Sequence, residues 1–432
     1  MTKYYFIGIG GIGMSGLALI LKNQGHLVEG SDSSSSYITD ILINNGIKVH
    51  FGHQAENLIN ADFVIYTSAI NESNVEFQKA KQLNIPMIRR GNLLAQISNN
   101  YKLIAVAGSH GKTTTSSMLS TIFYSCKNAS FYVGGIPKNL GIHAKLNSGE
   151  YFVTESDESD GSFLELNPYI SIINNIDNDH LDYYKDIDNL KDSFLKFSNK
   201  SQISIVNIDD KNNANIFQKI TSKKISFARN NADITYQYNS QKLTINYNNQ
   251  AFVFNCNVIG DYNISNLAIS ISCSLICGLN PSEIQESIKQ YSGVGRRLDL
   301  VFENKIFKVF DDYAHHPTEI WNVLTALRKL TSNLIAIWEP HRISRVEMMQ
   351  DEFIKALNIA DKVYITEIYT ASEKNPHNVT TDNIIRSLKN EKFEKFEDFN
   401  FVKKLNTADT ILVTLNAGKL NSITKKYFYD FK

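Results

Sequence analysis

Eight consecutive residues, Gly108-Ser109-His110-Gly111-Lys112-Thr113-Thr114-Thr115, combine flexible backbone, one ammonium and a row of hydroxyls. The combination suits a polyphosphate. Backbone N–H groups and Lys112 can cradle the phosphates while a threonine hydroxyl completes a Mg2+ shell. The strict G-x-x-x-x-G-K form would need glycine at 106, where this chain has Val106. The expected ligand is a nucleoside triphosphate. A second glycine turn, Gly8-Ile-Gly10-Gly11-Ile12-Gly13, fits G-x-G-x-x-G between a strand and a helix, a geometry that lets a pyrophosphate approach the helix N-terminus. Asp32 closes the next strand about where an acidic ribose partner would sit. On that pattern alone the turn serves NAD, a nucleotide sugar, or nothing beyond a tight bend.

Carboxylates and imidazoles follow. In Tyr151-Phe-Val-Thr-Glu155-Ser-Asp157-Glu158-Ser-Asp160 the acids stand directly after a strand. Solvated acidic loops are common, but a strand carboxylate downstream of a phosphate loop is the usual holder of Mg2+, and Glu155 lies nearest the strand. A second strand end carries Asp179 and His180, and the preference of Mg2+ for oxygen favours Asp179. In Gly260-Asp-Tyr-Asn263-Ile-Ser-Asn266 an amide either reaches an adenine edge or caps the following helix. Arg296 and Arg297 either clamp phosphates or a carboxylate, or form a plain surface pair. Asp311-Asp312-Tyr313-Ala-His315-His316-Pro317 and Trp338-Glu339-Pro340-His341-Arg342-Ile-Ser-Arg345 each follow a strand. That is the edge at which open α/β sheets bind ligands, although a structural His pair is the alternative for the first segment.

The elements that must position these groups alternate in type. Strands are expected at Tyr4–Ile7, His26–Glu29 and Phe63–Tyr66, with a helix over Met14–Lys22, which implies a parallel, helix-covered sheet. A new strand at Leu103–Ala107 leads into the phosphate loop, so a boundary is placed near residue 100. The Asn-, Tyr- and Thr-rich stretch Ile234–Val258 reads as a β-rich addition, and Phe307–Phe310, Leu334–Trp338, Lys362–Ile365 and Thr410–Thr414 read as strands of a third unit. The expected domains are 1–99, 100–297 and 298–432. The 432 residues exceed one ordinary core, and 43% hydrophobic against 20% charged residues is a globular balance. Lys+Arg and Asp+Glu are 44 each, which argues against a general nucleic-acid coat. No run approaches a membrane span, and no signal peptide is visible. Cys126, Cys256, Cys273 and Cys277 have no metal spacing and read as buried free thiols of a cytoplasmic protein.

Taken in order, these motifs resemble the peptidoglycan Mur ligases. The resemblance runs from Gly8 to about Arg345 and is carried by GIGGIGMSGLA, IPMIRRGNLLAQI, GSHGKTTTSSM, DESDGSF, the NID and DHLD segment, GVGRRLD and DDYAHHPTEI. It implies three α/β domains: a Rossmann-like UDP-sugar domain, a P-loop-like central domain with its β-rich addition, and a Rossmann-like C-terminal domain that binds the amino acid and closes over the others. The implied reaction joins L-alanine to the lactyl carboxylate of UDP-N-acetylmuramate through an acyl phosphate, with ATP and Mg2+ (Mn2+ as an allowed substitute). Under it Gly8, Gly10, Gly11, Ile12, Gly13, Asp32, Ser68 and Arg90 serve the UDP-sugar. Gly108, Ser109, His110, Gly111, Lys112, Thr113, Thr114, Asn263, Asn266 and Asp312 serve ATP. Thr113, Glu155 and His180 hold the metal, with His180 displacing the physical preference for Asp179. Tyr313, His315 and Arg345 receive the amino acid, and Lys112, His315, Arg297, Arg342 and Arg345 carry catalysis. The implied partners are small molecules only, with neither nucleic acid nor membrane insertion, and the implied state is a monomer or weak homodimer. The alternatives are a recycling ligase that uses a tripeptide and a non-catalytic UDP-sugar sensor. The chain departs from the family pattern at Glu339, where Gln is usual, at Tyr262, where His is common, and at Leu415-Asn-Ala-Gly-Lys419, where Gly-Ala-Gly-Asp is usual. It is also somewhat short in the third domain.

Overall fold

Apolar runs too short for helices alternate with longer amphipathic segments, and the chain resolves this pattern into three sheets. The computed structural model describes residues 1–431 apart from 372, 376 and 389. The first sheet is wholly parallel, in the order Lys48–Phe51, Leu27–Asp32, Lys3–Ile7, Phe63–Tyr66, Met87–Arg89. The expected strand at His26–Glu29 begins at Leu27 and runs on to Asp32, so the Asp32 carboxylate stands at the carboxyl edge beside the glycine turn. Gly30 sits opposite Phe6 in this pairing, and a side-chain carbon there would run into the Phe6 carbonyl.

The second sheet has ten strands. Its middle is parallel, with Lys102–Ala107 between Ile170–Ile173 and Tyr151–Glu155. This order brings the phosphate loop, the acidic loop and the Asp179–His180 segment to one carboxyl edge. The Asn-rich stretch forms the antiparallel strands Ile234–Asn239, Lys242–Tyr247 and Gln250–Asn255, joined to the parallel strand Lys223–Ala228. The third sheet is mixed: Asp299–Glu303 pairs antiparallel with Phe307–Asp312, and the remaining pairings, through Thr410–Leu415, Asn333–Trp338, Lys362–Ile365 and Phe393–Lys395, are parallel.

The chain forms two compact units, one of residues 1–256 with 265–292 and one of 257–264 with 293–432. Within the first, the N-terminal and central sheets share one core, in which Leu17 and Ile20 of the first helix join Leu93, Leu103, Phe152 and Phe163. Their junction is specific. The Tyr132 hydroxyl donates to the Gly13 carbonyl at 2.9 Å, and a Cβ at Gly16 would lie 2.9 Å from the Tyr132 ring. Ser15 donates its hydroxyl proton to Ile12 O (3.0 Å), leaving its oxygen to face Nε2 of the buried His143 at 2.9 Å.

All four cysteines are free, but only Cys273 is buried. This corrects the expectation of four buried thiols. Cys126 sits in the last turn of its helix, Cys256 just past a strand and Cys277 just past a helix, where the core no longer covers them. Among the described residues no helix is long and apolar enough to cross a membrane.

Burial depresses the His143 pKa from 6.5 to about 4. A base with a depressed folded pKa excludes a proton that the unfolded chain binds, so stability is intact above 6.5 and falls with pH down to about 4. The expected loss is about 3 kcal/mol from this site, and His143→Gln should flatten that part of a denaturant-unfolding series across pH.

Candidate functional site

The phosphate loop is shaped by two glycines with positive φ, Gly108 (+138°) and Gly111 (+79°), conformations that glycine adopts at little cost. Neighbouring strand ends hold it. Ser109 N–H donates to Asn175 O at 3.0 Å, His110 N–H to Asn175 Oδ1 at 2.8 Å, and Asn174 Nδ2 to Thr115 Oγ1 at 3.0 Å. Asn266 packs on the loop, since a Cβ at Gly111 would lie 2.8 Å from its Oδ1. The helix Lys112–Lys127 then starts with no capping side chain, and Thr113 and Thr114 are buried in its first turn.

Lys112 points back across this loop. Its ammonium donates to Gly108 O at 2.7 Å, to Ser109 O at 3.3 Å and to Glu158 Oε1 at 2.7 Å. Burial alone would lower the Lys112 pKa, but Glu158 and Glu155 outweigh it and the ammonium stays charged. Glu158 is 1% exposed, and its Oε2 has no hydrogen-bond partner among the described residues. The sequence reading missed this carboxylate. The clue was its place in the acidic run, but spacing alone cannot say which acid of a loop turns inward.

Thr113 Oγ1 donates to Glu155 Oε1 at 3.1 Å, and Glu155 Oε2 accepts the Gly134 N–H at 2.9 Å. His180, at φ +56°, places Nε2 3.9 Å from Glu158 Oε1 and 3.7 Å from Asp179 Oδ2. Two oxygen donors side by side and a buried carboxylate oxygen without a partner are a donor set that fits a hard divalent cation. His110 Nε2 lies 2.9 Å from Asp177 Oδ2, a carboxylate that the sequence reading did not single out.

The glycine turn of the first sheet is tied to the neighbouring strand. Gly8 N–H donates to Ser31 O and Gly10 N–H to Asp32 Oδ2, each at 2.8 Å. Asp32 thus braces the turn itself. The helix Ile12–Asn23 opens after Gly11 with no side-chain cap. Ser68 and Arg90 both reach the acidic loop: Ser68 Oγ donates to Asp160 Oδ2 at 3.2 Å and Arg90 Nη2 to Asp157 Oδ2 at 2.8 Å. Burial works to raise the Asp157 carboxyl, but the Arg90 guanidinium prevails and holds it at about 2.

The second unit carries the remaining candidates. Asp312 accepts the N–H groups of Leu298 (2.7 Å) and Ala314 (2.8 Å), and burial raises its pKa to about 6 despite Arg297. Arg297 lies 3.6 Å from Glu319, and both Arg296 and Arg297 cover the Tyr313 ring. His315 Nδ1 is 2.9 Å from Tyr313 O; a proton on Nδ1 makes that bond and leaves Nε2 as the ring's acceptor. Its neighbour His316 instead caps the helix Pro317–Arg328, accepting Thr318 N–H on Nδ1. His341 stacks on Tyr369 and meets His315 edge-on at 5.4 Å. Burial, then His315 and Arg345, lower its pKa to about 3, so it is a neutral ring among cations. Arg342 holds φ +65° and ψ 130°, a strained backbone fixed by its N–H bond to Tyr369 O. Arg345 follows three residues on in the same short helix, Ile343–Met348. Asn263 donates to Ile259 O at 3.0 Å, a local bond at the start of its helix. The burial of Tyr262, with Asp312 beside it, raises its phenol pKa well above 10, so the common His is replaced by a neutral hydroxyl. Glu339 does not spend its carboxylate on an Arg: it accepts the N–H groups of Gly418, Lys419 and Leu420.

Three family descriptions match in succession: "Mur ligase family, catalytic domain" over 3–102, "Mur ligase middle domain" over 106–274 and "Mur ligase, glutamate ligase domain" over 296–418. The UDP-N-acetylmuramate–L-alanine ligase of Caldicellulosiruptor bescii is 38% identical over 442 residues, covering 98% of this chain and 97% of that protein. That of Aquifex aeolicus is 36% identical over 451 residues, 100% of this chain and 98% of that protein. Among solved structures, the UDP-N-acetylmuramate–alanine ligase of Thermotoga maritima matches with a TM-score of 0.84 at 26% identity, over 100% of this chain and 99% of that one. A murein peptide ligase from Psychrobacter arcticus shares the fold, with a TM-score of 0.74 at 22% identity, over 99% of this chain and 98% of that one.

Removing the Lys112 ammonium leaves Glu158 buried without its cation. Lys112→Met should therefore lower stability by about 3–5 kcal/mol. Chemical denaturation reads this directly, and an unchanged midpoint would mean that the pair is not a structural tie.

Proposed function

Because the chain belongs to the Mur ligase family, we propose that it catalyses the ATP-dependent ligation of L-alanine to UDP-N-acetylmuramate, a step of peptidoglycan precursor synthesis. The observation that carries the reading is full-length similarity, through all three domain types, to relatives named for that one activity. The residue assignments are those the family resemblance implies, each with its chemical reason.

The lactyl carboxylate of the sugar is a poor electrophile. Its oxygen attacks the γ-phosphorus of ATP, the bond to ADP breaks, and an acyl phosphate forms. That attack brings two anions together, so catalysis is charge neutralisation and positioning. Lys112, whose ammonium lies across the phosphate loop, is assigned as one cation, and Arg297 as the second. Thr113, Glu155 and His180 would hold Mg2+ or Mn2+, which would supply further neutralisation of the phosphate oxygens. The loop Gly108–Gly111 and the first turn of its helix are assigned the polyphosphate, with Asn263, Asn266 and Asp312 assigned to the nucleoside. The turn Gly8–Gly13 takes the UDP pyrophosphate. Ser68 and Arg90, tied to the acidic loop, stand on the sugar side.

The amine of L-alanine then attacks the acyl carbon, and the tetrahedral intermediate collapses to the amide with loss of phosphate. The ammonium proton must leave before or during that attack. His315 is assigned as its acceptor, because its Nδ1 is engaged by the Tyr313 carbonyl and Nε2 is the basic atom. Tyr313 and Arg345, with Arg342 beside them, form the amino-acid side, where guanidinium groups suit a carboxylate.

The test supplies purified protein with ATP, Mg2+ and UDP-N-acetylmuramate, adding L-alanine or the tripeptide L-alanyl-γ-D-glutamyl-meso-diaminopimelate in separate reactions. Alanine-dependent phosphate release with an alanyl adduct by mass is the expected result; turnover only with the tripeptide would replace the reading by the recycling reaction. In the same assay His315→Ala should lower alanine-dependent turnover by about 100-fold or more while the KM values for ATP and the UDP-sugar hold. Equal losses for all three substrates would remove the assigned role.

A further inference from the structure

The helix Leu420–Asp430 begins with the wrong charge. Its N-cap residue is Lys419, which makes no side-chain cap bond, and its first turn holds no acid. A helix N-terminus presents unpaired N–H groups and positive dipole, so an ammonium there is unfavourable and an acceptor is needed. Two acceptors serve it: Asn416 Oδ1 takes the Asn421 N–H at 3.1 Å, and a carboxylate from a distant strand end takes the N–H groups just before. Glu339 directly follows Asn333–Trp338, is 5% exposed, and takes Gly418 N–H on Oε1 at 2.7 Å with Lys419 and Leu420 N–H on Oε2 at 3.0 and 2.8 Å. Position 418 must be glycine for this approach, since a side-chain carbon there would strike Glu339 Oε1 and the Tyr369 ring.

The two segments joined by this carboxylate both lead into the amino-acid side. On one, Glu339 is followed by Pro340, His341 and Arg342. On the other, Asn416 accepts Arg296 Nη2 on both its carbonyl and its side-chain oxygen at 3.0 Å, and donates to Asp311 Oδ1 at 2.8 Å. Arg296 in turn lies 4.5 Å above the Tyr313 ring. The carboxylate therefore sets the spacing between His341–Arg342 and Arg296–Tyr313. We propose that Glu339 is a positioning residue for the amino-acid pocket, acting as a remote N-cap in place of the acid that position 419 lacks. The inference rests on the ligase reading above.

The test compares Glu339→Gln with the double variant Glu339→Gln/Lys419→Asp. The single change turns an NH2 group toward N–H donors, whereas the double change returns a carboxylate to the helix's own N-cap. In steady-state assays Glu339→Gln should raise the KM for L-alanine about tenfold, the scale of a lost charge-assisted hydrogen bond, with the KM values for ATP and UDP-N-acetylmuramate unchanged. The double variant should return the alanine KM to within about threefold of wild type. A wild-type alanine KM in the single variant, a parallel shift of all three KM values, or a double variant as impaired as the single one would overturn the proposal. So would loss of folding in both variants, which would make Glu339 a stability residue alone. Absence of alanine-dependent turnover in the wild type is a separate failure: it removes the ligase reading, and this inference with it.

Discussion

A buried ammonium must have a buried anion, and the pairing of Lys112 with Glu158 at 2.7 Å is the constraint around which the first unit is arranged. Lys112 is delivered by the turn after strand Lys102–Ala107 and Glu158 by the loop after Tyr151–Glu155, and these strands are direct neighbours in the sheet. Burial pushes the Glu158 carboxyl up to about 7 even with Lys112 beside it, so either charge alone at that depth is costly. The pair fixes the acidic loop against the phosphate loop, and the same loop presents Asp157 to Arg90 and Asp160 to Ser68. One short acidic run thereby links the carboxyl edges of the N-terminal and central sheets, and the apolar core beneath them is continuous.

The second unit holds its buried carboxylates with neutral backbone and side-chain donors. Asp312 is held by two N–H groups, Glu339 by three, and the buried Asp311 by side chains of Thr414, Asn416 and Asn421. Each of these carboxylates sits at a strand end, and the segment 414–421 supplies the donors to Asp311 and Glu339. Around them Arg297 and His315 share Glu319, and His341, set among arginines, stays neutral. A cation-rich rim over carboxylate-anchored loops is a surface suited to anionic substrate groups.

Of the two adjacent histidines, only the structure separates the roles: His316 caps a helix while His315 has one nitrogen engaged by a carbonyl and the other as acceptor. The same holds for the two terminal departures. Glu339 and Lys419 look like unrelated changes along the chain, yet they meet at one helix N-terminus.

The sequence by itself determined the element types, the order of three α/β sheets and the glycine loops, because period, turn residues and loop spacing are local properties. Strands such as Phe63–Tyr66 and Lys362–Ile365 lie where their apolar runs lie. Tertiary structure alone decided which acids turn inward. Asp157, Glu158 and Asp160 are equivalent in a one-dimensional reading, but only Glu158 falls opposite Lys112 across two neighbouring strands. It also decided that Asp32 braces its own turn and that Glu339 caps a distant helix. A hydrogen bond or ion pair between remote segments depends on strand order and register, and these are set by packing rather than by any short stretch of residues.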